Sequence, residues 1–158
     1  MSGEGRTDGG FEIRSDLQVA VVAACWHAEV QEAMLASSVA TCAELGIEPT
    51  VVRVPGAFEL PVVAQRLAAT HDAVVALGTI VRGGTPHFEY VADAVTSGLT
   101  RVALDTGVPV GFGVLTCDDA AQALDRSGLP GSSEDKGREA AEAALAAATI
   151  LANLGLGE

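Results

Sequence analysis

The sequence predicts an α/β domain, a parallel β-sheet held between two layers of helices. Three observations carry that reading. Short valine-rich runs recur along the chain, and residues 17–25 are near-continuously apolar instead of alternating, as a strand covered on both faces is. Each is followed by a longer segment of helical character, and strand–helix alternation at this spacing calls for parallel strands joined by right-handed crossovers. The 158 residues, 49% of them hydrophobic, suffice for one core of this kind.

The elements follow in order. LQVAVVAAC, residues 17–25, is the first buried strand, and a helix over 28–45 stops at Gly46, a residue suited to the C′ position. TVVRV, residues 50–54, is the second strand and ends at Pro55-Gly56. A helix over 58–69 comes next, with Pro61 tolerable in its first turn. DAVVALGTIV, residues 72–81, is the third strand, followed by a helix over 86–104. VPVGFGVLT, residues 108–116, is the fourth; Gly111 and Gly113 weaken it and admit close approach of another element. Thr116 with Asp119 resembles a capping box opening a short helix to about residue 125. The polar stretch RSGLPGSSED then leads to an alanine-rich helix over 136–153. The expected architecture is a flavodoxin-like three-layer α/β/α sandwich with a four-stranded parallel sheet, forming a single domain over 17–158. Residues 1–16 are polar and glycine-rich without an apolar core segment, so they read as a flexible arm and not as a signal peptide.

Composition excludes several classes of partner. A formal charge of −12 offers no basic footprint for nucleic acid or an anionic membrane surface. No run approaches the roughly 18 apolar residues of a membrane span. Three widely spaced cysteines, Cys25, Cys42 and Cys117, fit neither a disulfide framework nor a zinc pattern, so a reducing, cytoplasmic setting and no metal are expected. Among nine cations Lys136 is the one lysine, so any amine chemistry falls on it.

In a parallel sheet, ligands bind beyond the carboxyl ends of the strands, and three distinctive loops lie there: CWH, PGAFE and RGGTPH. In RGGTPH the glycines permit close approach, Thr85 can cap the next helix and Pro86 fits its first turn. The helix N-terminus is suited to a phosphate, and His87 beside it is a candidate acid/base group. A plain capped helix with a surface histidine accounts for this loop equally well. Trp26 can stack on a heteroaromatic ring or close the core; Glu59 can receive a polyol or complement its helix. His27 and His71 have weaker cases, the latter as a solvated loop residue. Arg82 beside the glycines can be an ion-pair partner, and Arg126 and Lys136 around the last loop can be merely solvated.

Taken together, VPGAFELP, GTIVRGGTPHFEYV, GVLT, ALDRSGLP and EDKG closely resemble the lumazine synthase family, in order and spacing, from residue 17 to the C-terminus. The resemblance implies a 6,7-dimethyl-8-ribityllumazine synthase, a transferase of riboflavin biosynthesis. Its substrates would be 5-amino-6-(D-ribitylamino)uracil and 3,4-dihydroxy-2-butanone 4-phosphate, with no cofactor. It further implies sites between subunits of a homopentamer, which some relatives assemble into decamers or sixty-subunit capsids, and raises association with riboflavin synthase.

By the same resemblance Trp26 stacks on the pyrimidine, and Ala57, Phe58 and Glu59 hold the ribityl chain and ring region. Thr79, Ile80 and Val81 line the pyrimidine pocket, Gly84 and Thr85 hold the phosphate, and His87 transfers protons. The neighbouring subunit supplies Phe112 over the ring, Arg126 for the phosphate and Lys136 close by. His27 stands where asparagine is common and Glu89 where aspartate is. The stretch between Arg126 and Lys136 looks longer than in capsid-forming relatives, which favours a free pentamer. Two rival readings are a flavin or lumazine carrier and an aldolase using Lys136 as a Schiff-base amine; retention of His87, Arg126 and Lys136 argues against the first, and the acidic setting of Lys136 against the second.

Overall fold

The computed structural model describes residues 10–155. Four strands, β1 (Val19–Ala24), β2 (Thr50–Val54), β3 (Ala73–Val81) and β4 (Val110–Cys117), form one sheet in the order β2-β1-β3-β4, every pairing parallel. Five helices complete it: α1 (Ala28–Glu44), α2 (Leu60–Ala68), α3 (His87–Thr106), α4 (Ala120–Leu124) and α5 (Lys136–Gly155). This is the flavodoxin-like three-layer sandwich expected from the alternation.

Side-chain alternation along the strands divides the core in two. Val19, Val21, Ala23, Val75 and Leu77 meet Met34 of α1 and Ala141, Ala144 and Leu145 of α5. Val22, Ala24, Val74, Ala76 and Ile80 meet Leu60 and Ala64 of α2 and Val95 and Leu99 of α3 on the opposite face. The small alanine-rich side chains let helices come close. At Gly111 a Cβ would lie 2.3 Å from the Ala140 carbonyl oxygen, so the element this strand glycine admits is α5.

The boundaries depart from the sequence expectation in ways with local causes. Residues 57–59 form a 3-10 turn, and α2 starts only at Leu60, because the Gly56 N–H is held by the Glu59 carboxylate and Pro61 sits in the first turn. Pro86 occupies the N-cap position of α3, and Thr85 makes no capping bond to it. The helix runs two residues beyond the expected end, to Thr106, where Gly107 takes a left-handed φ of 70°. Thr116 belongs to β4; Asp119 caps α4, accepting from the Gln122 N–H at 2.8 Å. His71 lies in the loop before β3, as expected, but is only partly exposed and is tethered: its Nδ1 donates to the Leu67 carbonyl at 2.9 Å, and its Nε2 lies 3.0 Å from Thr50 Oγ1.

Of the expected N-terminal arm, residues 1–9 lie outside the described residues. Ile13 packs partly against the α1/α5 side of the core, and the Arg14 N–H donates to Thr149 Oγ1 at 3.1 Å. Among the described residues, no helix is long and apolar enough to cross a membrane.

Candidate active site

Beyond the carboxyl ends of β1, β2 and β3 lies a cleft of about 400 Å³. The turn after β1 contributes Trp26 and His27, the turn after β2 contributes Ala57, Phe58 and Glu59, and β3 contributes Thr79, Ile80 and Val81. Thr85 and His87 close it from the start of α3. Nine of the site residues that the resemblance implies, and His27 besides, therefore share one cavity although they span 62 positions, from Trp26 to His87. Gly84 is not on its wall, but Gly83 and Thr85 on either side of it are.

Two aromatic rings stand open at this cleft, Trp26 at 68% and Phe58 at 64% exposure, an unfavourable contact of apolar surface with water that packing in a core would have removed. The indole lies beside Gly56, where a Cβ would be in ordinary contact with its Cδ1 at 3.5 Å but crowded by Glu59 Oε2 at 3.2 Å. The same glycine orients the carboxylate beside it, since the Gly56 N–H donates to Glu59 Oε2 at 2.9 Å. Glu59 thus both supports its helix and presents a fixed acceptor to the cavity. The flat apolar face and the carboxylate come from two different loops, which only the parallel β1–β2 pairing brings side by side.

The glycine loop is tied down at its first residue. The Arg82 N–H donates to the Cys117 carbonyl at 2.9 Å, and its guanidinium lies 4.4 Å from the Phe88 ring centroid. Arg82 Nε donates to Asp118 Oδ1 at 3.0 Å and Nη1 to Glu89. Hydrogen bonding to Asp118, then to Glu89, raises the Arg82 pKa, and both carboxyls are held below their ordinary range by that arginine. The ion-pair reading of Arg82 is the one the structure bears. Gly83 and Gly84 then pass without left-handed backbone, and nothing lies within 4 Å of a Cβ built on either. Open space beside the N-terminus of a 20-residue helix is where an anion gains most from the free N–H groups.

His27 was weakly supported by the sequence, yet it lines the cleft and is the one non-glycine residue of positive φ among the described residues, at 56°. Asparagine and histidine are both enriched in that left-handed region, so the exchange keeps the backbone turn. Gly56 and Gly83, from loops the sequence singled out, also line the cavity without having been assigned a role, and Phe88 and Val91 escaped the sequence reading. For Gly56 the signal was available in the Pro55-Gly56 turn; for Phe88 and Val91 it was hidden within an ordinary apolar helix face.

Phe112, Arg126 and Lys136 are absent from the wall of this cleft. Phe112 is half exposed on the edge strand β4, and Arg126 Nη1 donates to the Gln122 carbonyl at 2.9 Å. Lys136 is only 14% exposed, in ion pairs of 2.5 Å with Glu134 and 2.9 Å with Glu139, so of its alternatives the merely solvated one is set aside. Burial alone would lower its pKa, but the bonds to Glu134 and Glu139 outweigh it and raise it. A Schiff-base lysine needs the reverse, so the aldolase reading loses its nucleophile.

A sequence profile of 6,7-dimethyl-8-ribityllumazine synthase matches residues 16–152. The chain belongs to that family. Its relatives include the 6,7-dimethyl-8-ribityllumazine synthase of Pseudarthrobacter chlorophenolicus, 62% identical over 87% of this chain and 86% of that one. The proteins of the same name from Frankia casuarinae and Saccharopolyspora erythraea are 58% and 56% identical. The Frankia match spans 99% of both chains, and the Saccharopolyspora match 98% of this chain and 94% of its own. Lumazine synthases are transferases, and the cleft described above lies wholly within the segment that the family covers.

Proposed function

We infer that this chain condenses 5-amino-6-(D-ribitylamino)uracil with 3,4-dihydroxy-2-butanone 4-phosphate to give 6,7-dimethyl-8-ribityllumazine, releasing phosphate and water, the penultimate step of riboflavin biosynthesis. The observation that carries it is one cavity uniting an unpartnered indole face, a tethered carboxylate and an open helix N-terminus with a histidine in its first turn. Those features match a flat heterocycle, a polyol and a phosphate respectively.

In this reading the pyrimidine stacks on Trp26 between Thr79, Ile80 and Val81, while Ala57, Phe58 and Glu59 hold the ribityl side. Gly84 and Thr85 receive the phosphate at the start of α3. The 5-amino nitrogen attacks the ketone and water leaves as the imine forms; phosphate departs, and the ribityl-bearing nitrogen closes the ring with loss of a second water. His87 moves the protons these steps need. Most of the acceleration comes from holding two substrates in one geometry. No cofactor is required.

The reading assigns Phe112, Arg126 and Lys136 to a neighbouring copy in a homopentamer, since none lines its own chain's cleft. An arginine delivered in this way offsets phosphate charge on a protein of net charge −12. A cytoplasmic location fits a biosynthetic enzyme with three free cysteines. The decisive experiment mixes purified protein with both substrates and follows lumazine absorbance and fluorescence against the uncatalysed condensation. Acceleration that drops sharply in Arg126→Ala and His87→Ala supports the assignment; a well-folded protein giving no acceleration overturns it in favour of a carrier.

A further inference from the structure

Gln31 is a fully buried polar residue in the second turn of α1, and it touches the floor of the cleft from behind. Strand β3 outruns its neighbour here. The last β1–β3 pair is Ala23 with Leu77, whereas β3 continues to Val81. Beyond that pair the Leu77 carbonyl and the Thr79 N–H meet the Gln31 side-chain amide instead. Chemistry fixes which way that amide points. Leu77 O can only accept and Thr79 N can only donate, so Gln31 Nε2 faces Leu77 O at 3.2 Å and Oε1 faces Thr79 N at 3.2 Å. The amide therefore stands in for one more peptide group of β1, pairing both orphaned backbone groups of an otherwise exposed ladder end.

The consequence lies in the third contact. Thr79 Oγ1 is 2.7 Å from the same Gln31 Oε1, an oxygen without a hydrogen to give. The hydroxyl must donate, which leaves Oγ1 with lone pairs only. Thr79 is 5% exposed and lines the cleft, so a ligand atom that meets this hydroxyl has to bring the hydrogen. With the amide turned the other way, the same threonine would favour an acceptor.

We propose that Gln31 is a specificity-determining positioning residue, which acts through Thr79 to make the floor of the cleft select a hydrogen-bond donor edge, such as a ring N–H. This rests on the synthase reading only for the identity of that edge, that of the aminouracil. Gln31 touches no reacting atom.

The test measures KM for each substrate separately. Gln31→Met, similar in shape but unable to pair, is expected to raise KM for the aminouracil roughly tenfold, the size of one ordinary hydrogen bond, with kcat and KM for the butanone phosphate nearly unchanged. Thr79→Val should give the same split, Thr79→Ser should restore it, and the Gln31→Met/Thr79→Val double variant should be no worse than either single one. Thr79 variants keep the test alive if Gln31→Met fails to fold. Equal rises in both KM values, no rise at all, or additive effects in the double variant would overturn the proposal while leaving the synthase reading intact. A folded wild-type protein without activity would overturn the synthase reading itself and with it the assigned edge.

Discussion

At the scale of single residues, glycine and histidine in the RGGTPH loop separate structural from chemical demand. Gly84 has ordinary backbone and open space where a Cβ would go, so Gly84→Ala should fold with unchanged stability. If that space receives the phosphate, KM for the butanone phosphate should rise by about tenfold while KM for the aminouracil holds; unchanged kinetics would place the phosphate elsewhere. His87 is exposed in the first turn of α3 and lines the cleft, where the proposed reaction has it meet substrate. General acid/base catalysis is worth roughly 10²- to 10⁴-fold, less than the gain from holding two substrates together. His87→Ala should therefore lower kcat by about 10²-fold and still run above the uncatalysed rate. Complete inactivity of the folded variant would show that proximity alone does little here.

At the scale of elements, the fold hangs on close crossings that small residues allow. A Cβ on Gly137 would lie 2.3 Å from the Met34 carbonyl oxygen where α5 crosses α1. Backbone cannot yield as a flexible side chain does, so Gly137→Ala should cost about 3 kcal/mol, against about 1 kcal/mol gained in helix propensity, and a measured loss of about 2 kcal/mol in denaturant unfolding is expected. A second device joins β3, α3 and β4 through Arg82, Glu89 and Asp118. Both carboxyls titrate lower in the folded protein than their ordinary values of 4.5 and 3.8, so their contribution is present above about pH 4.5 and is lost as pH falls through the lowered folded values. Melting temperatures of the wild type and Arg82→Ala should differ at pH 7 and converge toward pH 3; a constant gap would mean that Arg82 acts through its packing on Phe88. The element order was legible because β1 and β3 are apolar runs, fully buried in β1 and nearly so in β3, while the edge strand β2, largely exposed, still shows as a valine-rich run ended by Pro55-Gly56. The starts of α1 and α5 were legible too, at residues 28 and 136, but that of α4 was not, because caps depend on geometry: the sequence pairs Thr116 with Asp119 as a capping box, and only the end of β4 shows that Asp119 itself is the cap.

At the scale of the whole molecule, the site is half legible in one chain, and the reason is topological. Residues from three consecutive βα turns converge because parallel strands deliver their carboxyl ends to one edge, which the alternation alone foretold. Gln31 was invisible because a buried glutamine on a helix looks like any surface polar residue until β1 is seen to end short of β3. Phe112, Arg126 and Lys136 stay off the cleft wall, and the proposed homopentamer gives that separation a meaning that can be measured. If His87 of one copy works with Arg126 of the next, a His87→Ala chain and an Arg126→Ala chain each lack one half of every site, but a mixed oligomer regains some complete ones. Unfolding the two variants together at equal amounts and refolding them should restore about a quarter of the wild-type rate, since each interface draws its two faces independently. Mixing without unfolding should restore little if subunits do not exchange. Recovery no greater than the mean of the two variants would place both residues in a site made by a single chain, and the shared-site reading would fall.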